Sequence, residues 1–118
     1  MPAAFAHLLF VLALWMGLGW ATEGHAQTAP APLPTWTIVV KDGVFEPKRL
    51  EVPAGQRIKF ILKNEGPGPL EFENADLHVE KIVAAGAESF VVFKVPPGEH
   101  MFVDEFNIAT GELLVIAR

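Results

Sequence analysis

From Thr35 onward every apolar run is short, and each is ended by glycine, proline or asparagine: Asp42-Gly43, Pro53-Ala54-Gly55, Asn64 to Pro69, Gly86, Pro96-Pro97-Gly98 and Thr110-Gly111. Such punctuation leaves no room for a helix long enough to pack by itself. Between the breaks the residues alternate. Trp36–Val40 is β-branched and aromatic, Ile58, Phe60 and Leu62 alternate with Arg57, Lys59, Ile61 and Lys63, and Leu70 and Phe72 alternate with Glu71 and Glu73. Period-two alternation is the signature of a strand with one buried face. Adding Leu50–Val52, Glu88–Val95, Glu99–Glu105 and Glu112–Ile116 gives about seven strands, and several short strands at turn-punctuated spacing predict an all-β sandwich. Val44–Pro47 reads as an irregular extended piece. Ala75–Ala85 fits either a short helical turn or an extended arm.

The first quarter of the chain stands apart from that pattern. Leu8 to Trp20 (LLFVLALWMGLGW) has the length of a secretory h-region, and Gly24-His25-Ala26 supplies small residues before a cleavage point at Gln27. Residues 1–26 therefore read as a signal peptide, with an uncleaved anchor as the alternative, and export to the periplasm is expected. Residues 27–35, with Pro30, Pro32 and Pro34, read as a stiff linker; residues 36–118 form the domain. The chain carries nine Lys and Arg against fourteen Asp and Glu, a net charge of −5, and Glu23 is the one charged residue of the leader, so the mature charge is −4. An acidic chain lacks the basic face that nucleic acid requires. With no cysteine at all, an exported domain of this size has no disulfide to support it. Zinc-finger, iron–sulfur and thiol chemistry are excluded with it.

There is no tyrosine either, and none of Ser89, Thr35, Thr37 or Thr110 sits in a nucleophile elbow. Carboxylates and imidazoles remain. Glu71, Glu73, His78, Glu80, His100, Met101, Asp104 and Glu105 fall in two segments that a sandwich can bring to one end, and such donors suit divalent iron, manganese, zinc or cupric ion. Paired Glu71 and Glu73 also have the form of a glycosidase pair, but so small a domain offers no substrate cleft. Each residue has an ordinary structural reading beside the functional one. Glu71 and Glu73 would be solvated charges on a strand, His78 and Glu80 surface polar residues, Met101 packing, and His100 a hydrogen-bonded core residue in register with Phe102. Asp104 and Glu105 are neighbours on opposite faces of a strand, so at most one is buried.

Taken together, residues 36–118 resemble the cupredoxins, the β-sandwich domains of blue-copper proteins. The resemblance rests on the Val52-Pro53-Ala54-Gly55 turn, the Asn64 loop with Gly66 and Pro67, and Pro97-Gly98-Glu99-His100-Met101-Phe102-Val103-Asp104, which follows the family's Pro-Gly-x-Tyr-x-Phe-x-Cys strand. In that register His100 stands for the tyrosine, Phe102 is kept, and Asp104 occupies the cysteine position. The upstream ligand histidine falls near Leu70 or Glu71, and the 106–111 loop lacks the downstream histidine and methionine. The implied fold is a Greek-key sandwich. A blue site needs a thiolate, so electron transfer of the plastocyanin kind is disfavoured.

Within the family, Leu70-Glu71-Phe72-Glu73, then Leu77 with Glu80-Lys81-Ile82-Val83, and Glu105-Phe106 before Gly111 are similar to the periplasmic cupredoxins of bacterial iron uptake, of the Ftr and EfeO type. That resemblance implies metal-site roles for Glu71, Glu73, Glu80 and Glu105, with Asp104 at the cysteine position and Asn107 where many relatives carry histidine. It implies copper (Cu2+) held by histidine and carboxylates, oxidation of Fe2+ to Fe3+, and delivery to an inner-membrane iron permease. A stoichiometric copper or iron carrier and a metal-free interaction module are the alternatives, and a homodimer is compatible with each.

Overall fold

A computed structural model describes residues 32–118; the predicted leader and most of the linker lie outside the described residues. Nine strands run in chain order: β1 Thr35–Lys41, β2 Val44–Glu46, β3 Arg49–Val52, β4 Arg57–Asn64, β5 Leu70–Asn74, β6 Val79–Val83, β7 Glu88–Lys94, β8 Gly98–Asp104 and β9 Glu112–Ala117. They form a four-stranded sheet of order β2-β1-β4-β7 and a five-stranded sheet of order β3-β9-β8-β5-β6. No helix occurs among the described residues. The all-β sandwich expected from the alternation is what the chain forms.

Two strands exceed the seven counted from pattern. Val44–Glu46 pairs with β1 and so is a strand rather than an irregular piece. Within Ala75–Ala85 the ambiguity resolves into a turn closed by His78, at a left-handed φ of 54°, followed by β6. Strand β4 is antiparallel to β7 but parallel to β1, with Ile38 opposite Leu62. Alternation fixes which face a strand buries and says nothing of a neighbour's direction, so the parallel pairing of β1 with β4 emerges only in the fold. Strand β1 begins at Thr35, one residue before the expected domain start, and the Pro34 carbonyl accepts from Lys59 N at 2.9 Å.

The core lies between the sheets and is built on phenylalanine. Phe45, Phe60, Phe72 and Phe102 are fully buried with Ile38, Ile58, Leu62, Leu70, Leu113 and Val115. Phe72 and Phe102, from β5 and β8, stack at 5.0 Å, and Phe60 of the opposite sheet meets both edge-on. Aromatic pairs in these geometries add to the stabilisation from area burial. Because Leu70 and Phe72 point inward, Glu71 and Glu73 must point outward; the core packing sets the position of the acidic residues.

Two buried asparagines secure the loops beside the site. Asn64 donates to the Gly68 and Val83 carbonyls at 2.9 and 3.0 Å and accepts from Gly66 N at 2.9 Å, which shapes the proline-rich 64–69 loop. Asn74 donates to Met101 O and accepts from Leu77 N, both at 2.9 Å, tying β8 to the turn before β6. Every buried side-chain polar atom among the described residues is satisfied.

Candidate functional site

The outer face of the five-stranded sheet collects four of the eight candidate residues. Strand β5 lies between β6 and β8, with Glu73 opposite Glu80 on one side and opposite Val103 on the other. Glu105 follows β8, and its amide donates to Glu71 O at 2.9 Å, so Glu105 stands beside Glu71. Glu71, Glu73, Glu80 and Glu105 thus converge from three segments. Partial desolvation on this crowded face pushes the Glu71 carboxyl up from its ordinary value, as do a hydrogen bond to Glu80 and repulsion from Glu80, Glu105 and Asp104. Glu73 is pushed up by the same desolvation, by a hydrogen bond to Glu105, and by repulsion from Glu105, Glu80 and Glu71. Glu71 and Glu73 therefore hold a proton more tightly than an isolated glutamate does.

Asp104 points the other way. It is 1% exposed and faces Phe72 across the β5–β8 ladder. Its Oδ1 accepts from Glu71 N at 3.1 Å and Phe106 N at 3.0 Å, and its Oδ2 accepts from Asn107 Nδ2 at 2.9 Å. The latch extends further: Thr110 Oγ1 donates to Gly43 O at 2.9 Å, and Asp104 N donates to Gly111 O at 2.9 Å. A Cβ on Gly111 would lie 2.6 Å from Asp104 Cβ and 3.1 Å from Gly43 O. The β8–β9 loop is therefore fastened to the β1–β2 turn through close backbone approach. Beside the latch a cavity of about 290 Å³ is lined by Asp42, Asn64, Pro67, Asp104 and Asn107, among others.

The remaining candidates lie outside both clusters. His78 is exposed in the turn before β6. His100 is half-buried on the inward side of β8, and its Nε2 is 2.8 Å from Pro96 O, a bond that holds the turn into that strand. Met101 is on the outer side of β8 opposite Leu114 and is 44% exposed. Among the described residues no three His, Asp or Glu side chains already stand in an arrangement that could hold a metal ion. Sequence reading gave Thr110, Gly111 and Gly43 no role in the latch. Their only signal was a Thr-Gly pair closing the loop that Asp104 opens.

The chain matches the cupredoxin-like domain family over residues 8–115, most of its length. It is a cupredoxin-like protein. An uncharacterized protein of Rickettsia prowazekii (strain Madrid E) is 36% identical over 83 residues, covering 69% of this chain, which in turn spans 66% of that protein. Among solved structures, the metal-binding domain of the Streptococcus pneumoniae D39 Cu(I)-exporting P-type ATPase CopA superposes with a TM-score of 0.61 at 11% identity, over 71% of this chain and 84% of that one. Auracyanin from Roseiflexus castenholzii gives 0.55 at 16% identity, over 71% and 96%. Identities this low establish the shared fold.

The residues that the resemblance sets at the ligand positions do not make a blue-copper centre. Of the two upstream candidates Leu70 is core and Glu71 lies on the outer face, and Asp104, at the expected cysteine position, spends its carboxylate on three hydrogen bonds, one of them from Asn107. Cuprous ion selects soft sulfur ligands, and none converges here.

Proposed function

We propose that this cupredoxin-like protein carries a hard metal cation, ferrous iron above all, on the carboxylate face formed by Glu71, Glu73, Glu80 and Glu105. In this reading it works in the periplasm as a component of iron uptake, handing its cargo to an inner-membrane permease. The observation that carries the reading is the placement of four acids on one face, with Glu73 opposite Glu80 across the β5–β6 ladder and Glu105 held beside Glu71 by its amide. Without metal the four acids repel one another. A divalent cation removes that repulsion, and oxygen donors suit iron and manganese better than cuprous copper. Glutamate side chains rotate readily, so the donors need not be preset in the metal-free state. The resemblance to the iron-uptake cupredoxins, carried by the same glutamates, gives the cation its identity.

Carriage, the alternative to the oxidation that the resemblance implies, agrees with the donor set. The oxidation that the resemblance implies would use a copper held at the blue-copper position, where Leu70 is core and the Asp104 carboxylate is taken up by hydrogen bonds. The test is titration of the metal-free protein with Cu2+ and then with excess Fe2+, following bound metal and loss of ferrous iron. One Fe2+ equivalent bound without further consumption, and loss of that binding in Glu73→Gln/Glu80→Gln, is the expected result. Consumption of several iron equivalents would replace the carrier with an oxidase. Failure to bind either ion would overturn the metal reading altogether.

A further inference from the structure

We infer that the protein self-associates through β7, in an antiparallel pairing with β7 of a second copy that joins the two four-stranded sheets into one. The argument begins with the four sheet edges, β2 and β7 in one sheet, β3 and β6 in the other. An open strand edge presents unpaired N–H and C=O groups, and proteins blunt such edges by shortness, charge or proline. Strand β2 has three residues; β3 has four, with Arg49 and Glu51; β6 has five, with Glu80 and Lys81 near its centre. Strand β7 has seven residues and is uncharged from Ser89 to Phe93, with no proline. Its Phe90 is 54% exposed. Beside it a groove lies between the two sheet edges, lined by Leu77–Lys81 and Phe90–Phe93.

The sequence of β7 identifies the occupant. Read as Glu88-Ser89-Phe90-Val91-Val92-Phe93-Lys94, it is complementary to its own reverse. An antiparallel pairing centred on Val91 sets Glu88 opposite Lys94 of the second copy at both ends and Phe90 opposite Val92 twice between them. Opposite charges and an aromatic against a β-branched residue are favourable cross-strand pairs. The backbone has the matching phase. Asn64 N donates to Ala87 O at 3.0 Å, so by alternation Ser89, Val91 and Phe93 direct their N–H and C=O toward β4. Glu88, Phe90, Val92 and Lys94 direct theirs to the open edge. The register that pairs the charges also places these four outward residues opposite one another. A shift by two residues keeps the backbone phase but sets Glu88 opposite Val92 or Pro96 and loses both charge pairs.

A two-fold seam of this kind closes on itself, so it gives a dimer and not a fibre. Seven residues a side make a small interface, and association is accordingly weak and concentration-dependent. The carboxylate face belongs to the other sheet, and the seam does not depend on the metal reading.

The test is sedimentation velocity of the purified protein over a wide concentration range, with amide exchange read in parallel. The expected result is a shift toward twice the chain mass with rising concentration, accompanied by slowed exchange at the amides of Glu88, Phe90, Val92 and Lys94. Lys94→Glu, which opposes Glu88 with a like charge, abolishes the shift, and Glu88→Lys/Lys94→Glu restores it. Because both positions are exposed, neither change threatens the fold. A single-chain mass at every concentration would overturn the inference. Association that ignores Lys94→Glu would do the same, and would assign it to another part of the chain.

Discussion

Replacing Asp104 by alanine tests whether the β8–β9 end of this fold is held by the hydrogen bonds of that carboxylate. The carboxylate accepts from Glu71 N, Phe106 N and Asn107 Nδ2. A hydrogen bond to a charged acceptor contributes about 1.5–3 kcal/mol, and a buried donor left without a partner costs about 1–3 kcal/mol. Phe106 and Asn107 are exposed and regain water, so each loses roughly 0.5–1 kcal/mol; Glu71 N lies inside the ladder and loses the full amount. The sum is about 2.5–5 kcal/mol, a large share of a domain's roughly 5–15 kcal/mol. For a domain this small that lowers Tm by roughly 10–40 °C. Asp104→Asn keeps an acceptor for the two backbone amides and opposes only the Asn107 amide, a cost of about 1–2 kcal/mol. Combining it with Asn107→Asp exchanges donor and acceptor and recovers that loss. Urea denaturation of the metal-free protein measures all three. A loss below about 1 kcal/mol for Asp104→Ala, or a double variant no more stable than Asp104→Asn, would refute the latch.

Gly111→Ala forces a Cβ against Asp104 Cβ at 2.6 Å and two backbone oxygens, Asn107 O at 3.0 Å and Gly43 O at 3.1 Å, so it destabilises by about 1–3 kcal/mol in the same denaturation assay. The raised carboxyls of Glu71 and Glu73 mean that the folded chain binds protons more tightly than the unfolded one, so their contribution is full below the ordinary glutamate range and is lost as pH rises through the folded values. The metal-free protein is therefore less stable at neutral pH than at mildly acidic pH on this account. Glu80→Gln removes one source of repulsion from both residues, and denaturation across that range should show a flatter profile with higher stability at neutrality.

Much of the site was legible in the chain because strand geometry is local. Alternation of Leu70 and Phe72 with Glu71 and Glu73 dictates which side each carboxylate takes, and the adjacency of Asp104 and Glu105 dictates that they separate, one 1% exposed and the other at the surface. What alternation does not carry is the partner across the ladder. That Glu73 meets Glu80, or that Glu105 stands beside Glu71, depends on register between strands far apart in sequence. His78, His100 and Met101 were candidates by residue type, and the register leaves them outside the cluster: one in a turn, one bound to Pro96 O, one opposite Leu114.

By itself, then, the sequence determined an all-β sandwich, an acidic chain without thiols, and the face on which each carboxylate lies, because turn residues and period-two burial act over a few residues. Tertiary structure decided that Asp104 is a buried hydrogen-bond acceptor and that four glutamates from three segments meet. It also decided that β7 is an open edge. Those facts follow from which strands become neighbours, and the Phe60, Phe72 and Phe102 core that joins them brings β8 against β4 and β5 from far along the chain.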